Sequence, residues 1–348
     1  MPWSRIEQSH SAPDKGRILS YKDAIREAID QALVRDPRVF VIGLDADDKF
    51  GAFGTLLNLS HPERVIGTPI SENAMTGVAL GAALSGMRPL YVHLRVDFML
   101  LTMDQIVNYV AKWRYMTQGQ VKVPIVIRAV IGRGWGCGAQ HSQTLGSIFA
   151  HIPGLKVVMP STPYDAKGLL LASIKDDYPV VFIEHRWLYK NTGGVPEELY
   201  VLPFGKGRIL RAGDGVTVVA PSMAAIDTLN ACEKENLNAE IIDPRCLKPL
   251  DEEMIIESVK KTGRLLVVDY DYPACGFAAE VCAMVAEKCH GFLKAPPQRY
   301  TFPECSMPAS GILERAYYPD SPKIAARIKQ ILSGAKAPGA VPAAGALA

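Results

Sequence analysis

Val123-Pro124-Ile125-Val126-Ile127-Arg128, leading into Gly132-Arg133-Gly134-Trp135-Gly136-Cys137-Gly138-Ala139-Gln140-His141-Ser142-Gln143, is the stretch that decides the fold. Its first part is a continuous apolar run, the pattern of a strand buried on both faces of a sheet. Its second part carries glycine at every other position, which lets the backbone turn tightly and approach a bound molecule closely. The loop delivers an imidazole, with Gln140 and Gln143 close by, to the C-terminal mouth of that strand, where ligands bind in open α/β sheets. A dinucleotide fingerprint is excluded. That pattern runs Gly-x-Gly-x-x-Gly straight into a helix, with an acidic residue for a ribose at the end of the next strand. Here the helix-like segment begins only at Thr144, and the next strand ends in Pro160-Ser161-Thr162.

Outward from this stretch, strand and helix patterns alternate. Val39-Phe40-Val41-Ile42-Gly43, Arg64 to Gly67, Pro89 to Leu94 and Val180 to Glu184 read as strands. Ser20 to Val34, with Ser20 as N-cap, Ala74 to Leu84, Met103 to Met116 and Tyr164 to Lys175 read as helices. Gly193 to Gly205 is a Gly/Pro/Glu-rich linker, after which the alternation restarts at Gly215 to Ala220. The fold class is therefore α/β, with two doubly wound domains and mainly parallel sheets. Their bounds are 18–192 and 206–333, joined by the linker at 193–205. Residues 1–17 are expected to be loose and the Ala/Gly/Pro tail at 334–348 disordered.

Composition limits the function. At 348 residues the chain has room for two domains, 48% of it is apolar, and its formal charge of +2 offers no basic field for nucleic acid. Gly, Pro or charge interrupts each apolar run before it could span a membrane. The seven cysteines include no Cys-x-x-Cys pair, and the opening residues lack a signal peptide, which together point to the cytoplasm. Cys275, Cys282 and Cys289, spaced by seven, suggest one helix face. Gly213-Asp214-Gly215, with Asn236 and Asn238 beyond, mimics a loop that holds Mg²⁺ and a diphosphate. It precedes a strand instead of ending one, so it reads as a turn and no metal is assigned to this chain.

Several motifs in order carry a family resemblance: Thr68-Pro69-Ile70-Ser71-Glu72, Gly77, Gly81-Ala82-Ala83, Arg88-Pro89, Asp97-Phe98 with Asp104-Gln105-Ile106, Gln140-His141-Ser142-Gln143 and Pro153-Gly154-Leu155-Lys156. Asp243-Pro244-Arg245, Pro249-Leu250-Asp251 and Gly276 to Glu280 continue it through the second half. Over roughly residues 18 to 332 the chain resembles the β subunit of thiamine-diphosphate-dependent 2-oxo acid dehydrogenases. Its domains would then be a transketolase-like pyrimidine-binding domain and a transketolase C-terminal-like domain.

The resemblance implies roles. Glu72 matches the carboxyl that bonds ring nitrogen N1′ of the aminopyrimidine and drives the tautomer that deprotonates the thiazolium carbon. Read without the resemblance, Glu72 is an N-cap partner of the helix that follows. Leu94 and Phe98 match contacts of the aminopyrimidine. His141 matches the active-site histidine that meets the substrate oxygen and assists acyl transfer to a lipoyl group, while Gln140 and Ser142 support the loop. Arg128 is expected to pair with a carboxylate inside the fold. Thiamine diphosphate would be shared with an α subunit holding its diphosphate and Mg²⁺, in an α₂β₂ assembly that docks a dihydrolipoyl acyltransferase core.

The chain departs from relatives at Val92-His93-Leu94-Arg95-Val96, where a His and an Arg appear near the site. Strand alternation would put His93, Arg95 and Asp97 on one face and Leu94, Val96 and Phe98 on the other. His93, Arg95 and Gln140 are then candidates for a pocket accepting a 2-oxo acid with a further polar or anionic group. Alternatively, Arg95 simply bonds Asp97 or a partner's carboxylate. Other functions left open are a split transketolase, an acyloin-forming carboligase, and a non-catalytic scaffold.

Overall fold

The computed structural model describes Trp3 and residues 17–335. Most of the two expected loose ends, 1–17 and 334–348, lies outside the described residues. The chain divides into two compact units, the first made of residues up to 132 with 149–204, the second of 133–148 with residues from 205 onward. The glycine loop thus leaves the unit that contains its preceding strand.

In the first unit a parallel sheet runs in the order Lys156–Val158, Val180–His185, Val126–Ile131, Arg88–His93, Val39–Gly43, Val65–Gly67. Leu90 stands beside Val41 on one side and Val126 on the other, and Ile127 beside Val181. The three central strands are buried along their whole length, as their mainly apolar runs require, and they carry Arg128 and Glu184 inward as a buried pair. Helix Tyr21–Arg35 starts where the Ser20 hydroxyl accepts the Asp23 N–H at 3.1 Å, the expected N-cap. Its buried residues Tyr21, Ala24, Ile25, Ala28, Ile29, Ala32 and Leu33 form one face, which packs along helix Pro163–Lys175. At Gly154 (φ +98°) an added Cβ would lie 2.0 Å from the Ala111 carbonyl oxygen, so this crossing admits only glycine.

The second unit has its own sheet in the order Gln298–Tyr300, Leu265–Val268, Thr217–Val219, Glu240–Asp243, Arg208–Arg211. All neighbours are parallel except the antiparallel edge strand Arg208–Arg211. Both units are therefore α/β with mainly parallel sheets, as the alternating pattern predicts. The Gly213-Asp214-Gly215 turn is locked by Asn238, whose side-chain oxygen accepts the N–H groups of Asp214 at 3.0 Å and Gly215 at 3.3 Å. Its amide donates to the Asp214 carboxylate at 2.6 Å, so the residues that mimic a diphosphate loop satisfy one another.

Three local expectations are corrected. The helix read over Met103 to Met116 breaks into a π-helical turn, Gln105–Val110, and a separate turn, Trp113–Met116. The Ala111 N–H donates to Ile106, five residues back, at 2.9 Å, and Lys112 Nζ reaches the Pro153 carbonyl at 3.0 Å. Cys275 lies outside helix Phe277–Lys288, exposed and with positive φ, while Cys289 only caps its end, so the spacing of seven marks no helix face. The alternation proposed across residues 92 to 98 also fails. The strand ends at His93, and Val96–Met99 is a helical turn in which the Phe98 N–H reaches the Arg95 carbonyl at 3.3 Å. His93, Arg95 and Asp97 are all buried, but as a corner and not as one strand face.

Candidate functional site

Glu72 is the first residue of helix Glu72–Leu84, following Ser71, whose side chain makes no capping bond. The Glu72 backbone is well held: its carbonyl accepts the Thr76 hydroxyl at 2.8 Å and the Tyr91 hydroxyl at 3.4 Å. Its side chain is half-buried, and its carboxyl makes no hydrogen bond to any described residue. An N-cap partner would bond backbone N–H groups, so that role is not the one observed. The N-terminal end of the helix dipole favours a negative charge there.

Tyr91 comes from the central strand Arg88–His93 and was not anticipated at the site. Burial pushes its phenol up to about 12, with a hydrogen bond to Thr76 opposing and the nearby Glu72 charge adding to the rise. The His93 ring lies against Tyr91 with centroids 4.3 Å apart and planes tilted by 56°. Burial pulls the His93 imidazole down to about 3, so it is neutral, and its Nε2 is a buried atom with no hydrogen-bond partner. Beyond it, Leu94 and Phe98 are half-buried on the corner. The Arg95 guanidinium is buried and donates through Nη1 to the Gly132 carbonyl at 2.8 Å, tying the corner to the end of the next strand.

Gly132, Gly134, Gly136 and Gly138 all have positive φ, between +63° and +126°, so the alternating glycines do take left-handed conformations. His141 is half-buried in this loop, Gln140 is exposed, and Ser142 is buried with its hydroxyl unpartnered. Arg133 places its guanidinium 3.5 Å from the centre of the Tyr318 ring, and Glu314 accepts the Gly134 N–H at 2.7 Å. Burial pulls the Arg133 guanidinium down, opposed by Tyr318, Tyr270, Glu314 and Asp227. Thr144 donates its hydroxyl to the Tyr270 carbonyl, and the Ser147 hydroxyl bonds Asp271 at 3.2 Å. No local sequence signal marks Glu314 as a neighbour of Gly134, 180 residues away.

Arg128 has the expected carboxylate partner, Glu184, with both side chains fully buried, and it also donates to the Thr55 hydroxyl at 2.8 Å. Among the described residues no three His, Cys, Asp or Glu side chains gather as a metal site, and no helix is long and apolar enough to cross a membrane. The first unit thus gathers Glu72, Tyr91, His93, Leu94, Arg95 and Phe98 on neighbouring elements, and the second carries Gln140 and His141. A half-buried carboxyl with no hydrogen-bond partner among the described residues, on a helix packed against the strand that leads to Leu94 and Phe98, fits the nitrogen edge of a heteroaromatic ring.

Residues 18–192 match the domain family described as transketolase, pyrimidine binding domain, and residues 205–324 match transketolase, C-terminal domain. An acetoin:2,6-dichlorophenolindophenol oxidoreductase subunit beta from Cupriavidus necator is 44% identical over 335 residues, covering 92% of this chain and 99% of the relative. A pyruvate dehydrogenase E1 component subunit beta from Rickettsia conorii is 40% identical over 319 residues, covering 90% and 98%. A 2-oxoisovalerate dehydrogenase subunit beta from Bacillus subtilis is 40% identical over 322 residues, with the same coverage. The chain belongs to the family of 2-oxo acid dehydrogenase β subunits. A solved structure titled split gene transketolase, inactive beta4 tetramer, superposes with a TM-score of 0.71 over 90% of this β subunit and 99% of that chain. At 22% identity it shares the fold. The family is one of thiamine-diphosphate-dependent proteins.

Proposed function

We propose that this β subunit, paired with an α subunit, carries out thiamine-dependent oxidative decarboxylation of a 2-oxo acid and passes the acyl group to lipoamide. The observation that carries the reading is the Glu72 carboxyl, half-buried, without a hydrogen-bond partner among the described residues, at a helix start within a pyrimidine-binding domain. When bound, thiamine diphosphate supplies the carbon nucleophile for attack on the substrate carbonyl. Glu72 holds a proton at ring nitrogen N1′, a general acid–base role worth about 10²–10⁴ in rate. Leu94 and Phe98 pack the aminopyrimidine and keep water from it. His141 gives a proton to the substrate oxygen and assists transfer to the lipoyl group, with Gln140 beside it. His93 and Arg95 shape the pocket wall, Arg95 through its bond to Gly132.

In this reading the α subunit grips the diphosphate and its Mg²⁺, and the working assembly is an α₂β₂ heterotetramer in the cytoplasm, serving a dihydrolipoyl acyltransferase core. A second reading has a specific observation behind it: the Cupriavidus necator relative is named for acetoin, an acyloin without a carboxylate. One assay separates the two. The chain is reconstituted with its α subunit and thiamine diphosphate, and 2,6-dichlorophenolindophenol reduction is followed with pyruvate, a branched 2-oxo acid, an acidic 2-oxo acid and acetoin. Turnover of a 2-oxo acid by the pair, and by neither chain alone, is expected. Turnover of acetoin alone would replace the first reading with the second.

A further inference from the structure

A loop with four left-handed glycines does not hold one shape by itself, because glycine gives up more backbone freedom on ordering than any other residue. His141 sits at the end of that run, and proton transfer to a substrate oxygen requires placement within hydrogen-bond reach. Something outside the loop must fix it. The second unit provides clasps on both flanks. On the N-terminal flank Arg133 is buried with its guanidinium stacked on Tyr318, and Glu314, itself buried on the short helix Gly311–Tyr317, accepts the Gly134 N–H. The charge of Arg133 faces Glu314 and Asp227, and Asp227 is in turn bonded by the Tyr270 hydroxyl. On the C-terminal flank Thr144 bonds the Tyr270 carbonyl, while the Ser147 hydroxyl bonds Asp271 and accepts the Phe277 N–H at 2.8 Å.

Tyr270 joins the two flanks. Its hydroxyl holds Asp227, near Arg133, and its carbonyl holds Thr144. A buried carboxylate accepting one backbone N–H is an expensive choice for mere stability, since an apolar side chain could fill the same space. It is a sensible choice for fixing a backbone position that no regular hydrogen-bond ladder fixes.

We infer that Glu314 and Arg133 are positioning residues for catalysis: Glu314 from the C-terminal domain, and Arg133 by anchoring the loop's start on Tyr318, set the conformation of the glycine loop and so the placement of His141. This rests on the role given to His141 above.

The test uses the reconstituted α–β complex with thiamine diphosphate and compares Glu314→Ala, Glu314→Gln, Arg133→Met and His141→Ala. Dye-linked turnover is measured across substrate concentration, together with amide hydrogen exchange over residues 134–144. Glu314→Ala should lower kcat about 10–100-fold with KM changed less than about threefold, the cost of misplacing a reacting group by about 1 Å. Exchange over the loop should rise in the same variant. Glu314→Gln keeps an oxygen that accepts the Gly134 N–H, and should recover most of the lost rate. Should Glu314→Ala give no soluble complex, Arg133→Met is judged by the same kcat and exchange criteria. A kcat within about twofold of wild type in the Glu314→Ala complex, or in Arg133→Met where that variant decides, with His141→Ala inactive, overturns the inference and leaves the function standing. Full activity in His141→Ala overturns the functional role beneath it.

Discussion

Residues 88–99 turn from a central strand into a helical turn with His93, Arg95, Val96, Asp97 and Met99 all buried. Residues 132–143 leave the neighbouring strand through four positive-φ glycines, with Gly134, Trp135, Gly136, Ala139 and Gln140 exposed. The corner is rigid because it is packed, with sheet on one side and its own helical turn on the other. The loop is held at its flanks by groups of other elements, at Arg133–Gly134 and at Thr144. Under the proposed function, burial suits a fixed wall for the pyrimidine ring, and a clasped loop suits a His141 imidazole that meets first a substrate and then a lipoyl group.

If the corner and its flanking helix carry the proton chemistry, the largest effect should come from Glu72. In the reconstituted complex Glu72→Ala should lose about 10³-fold in turnover, within the range for a lost acid–base group. Its thermal midpoint should stay near wild type, because the carboxyl bonds none of the described residues. A mutant with wild-type turnover would mean that the corner is only a wall and would favour the scaffold role.

The packed corner should also show in pH dependence. The His93 imidazole titrates near 6.5 in the unfolded chain, and burial holds it at about 3 in the folded one. Between these values the unfolded chain binds a proton that the folded chain does not, so stability falls as pH drops from about 6.5 toward about 3. The slope from this group approaches about 1.4 kcal/mol per pH unit. His93→Leu should flatten urea-unfolding stability between pH 6 and pH 4.5 relative to wild type. Equal slopes would show that water reaches the ring.

The smallest of the three effects is expected in the loop. Gly136 has φ +66°, and an added Cβ would find only ordinary contact, 3.6 Å from the Ala309 carbonyl oxygen. Gly136→Ala should therefore cost only backbone strain, about 1–2 kcal/mol in unfolding free energy. A larger loss would mean that the loop is packed as tightly as the corner.

Much of this architecture was legible in the residues. Mainly apolar runs mark the central strands, because a parallel sheet covered on both faces buries them on both sides. Ser20 announced its helix, and the glycine alternation announced positive φ. What stayed hidden depends on contacts far apart in the chain or on where a strand stops. Alternation from Val92 onward misplaced Arg95 and Asp97 because the run of residue types gives no sign that pairing ends at His93. Tyr91 carries no mark in the residue pattern, because its phenol meets the Glu72 backbone only through the fold. Nothing in the residue types marks Glu314, since its partner is the backbone N–H of Gly134. The π-helical turn at 105–110 reflects one extra residue that the helical period cannot register.

The most direct measurement is a structure of this chain with its α partner and thiamine diphosphate. The account predicts a Glu72 carboxyl oxygen about 3 Å or less from pyrimidine nitrogen N1′, with Phe98 against the ring. A carboxyl turned away from the pyrimidine, or a coenzyme bound away from Glu72, would contradict it.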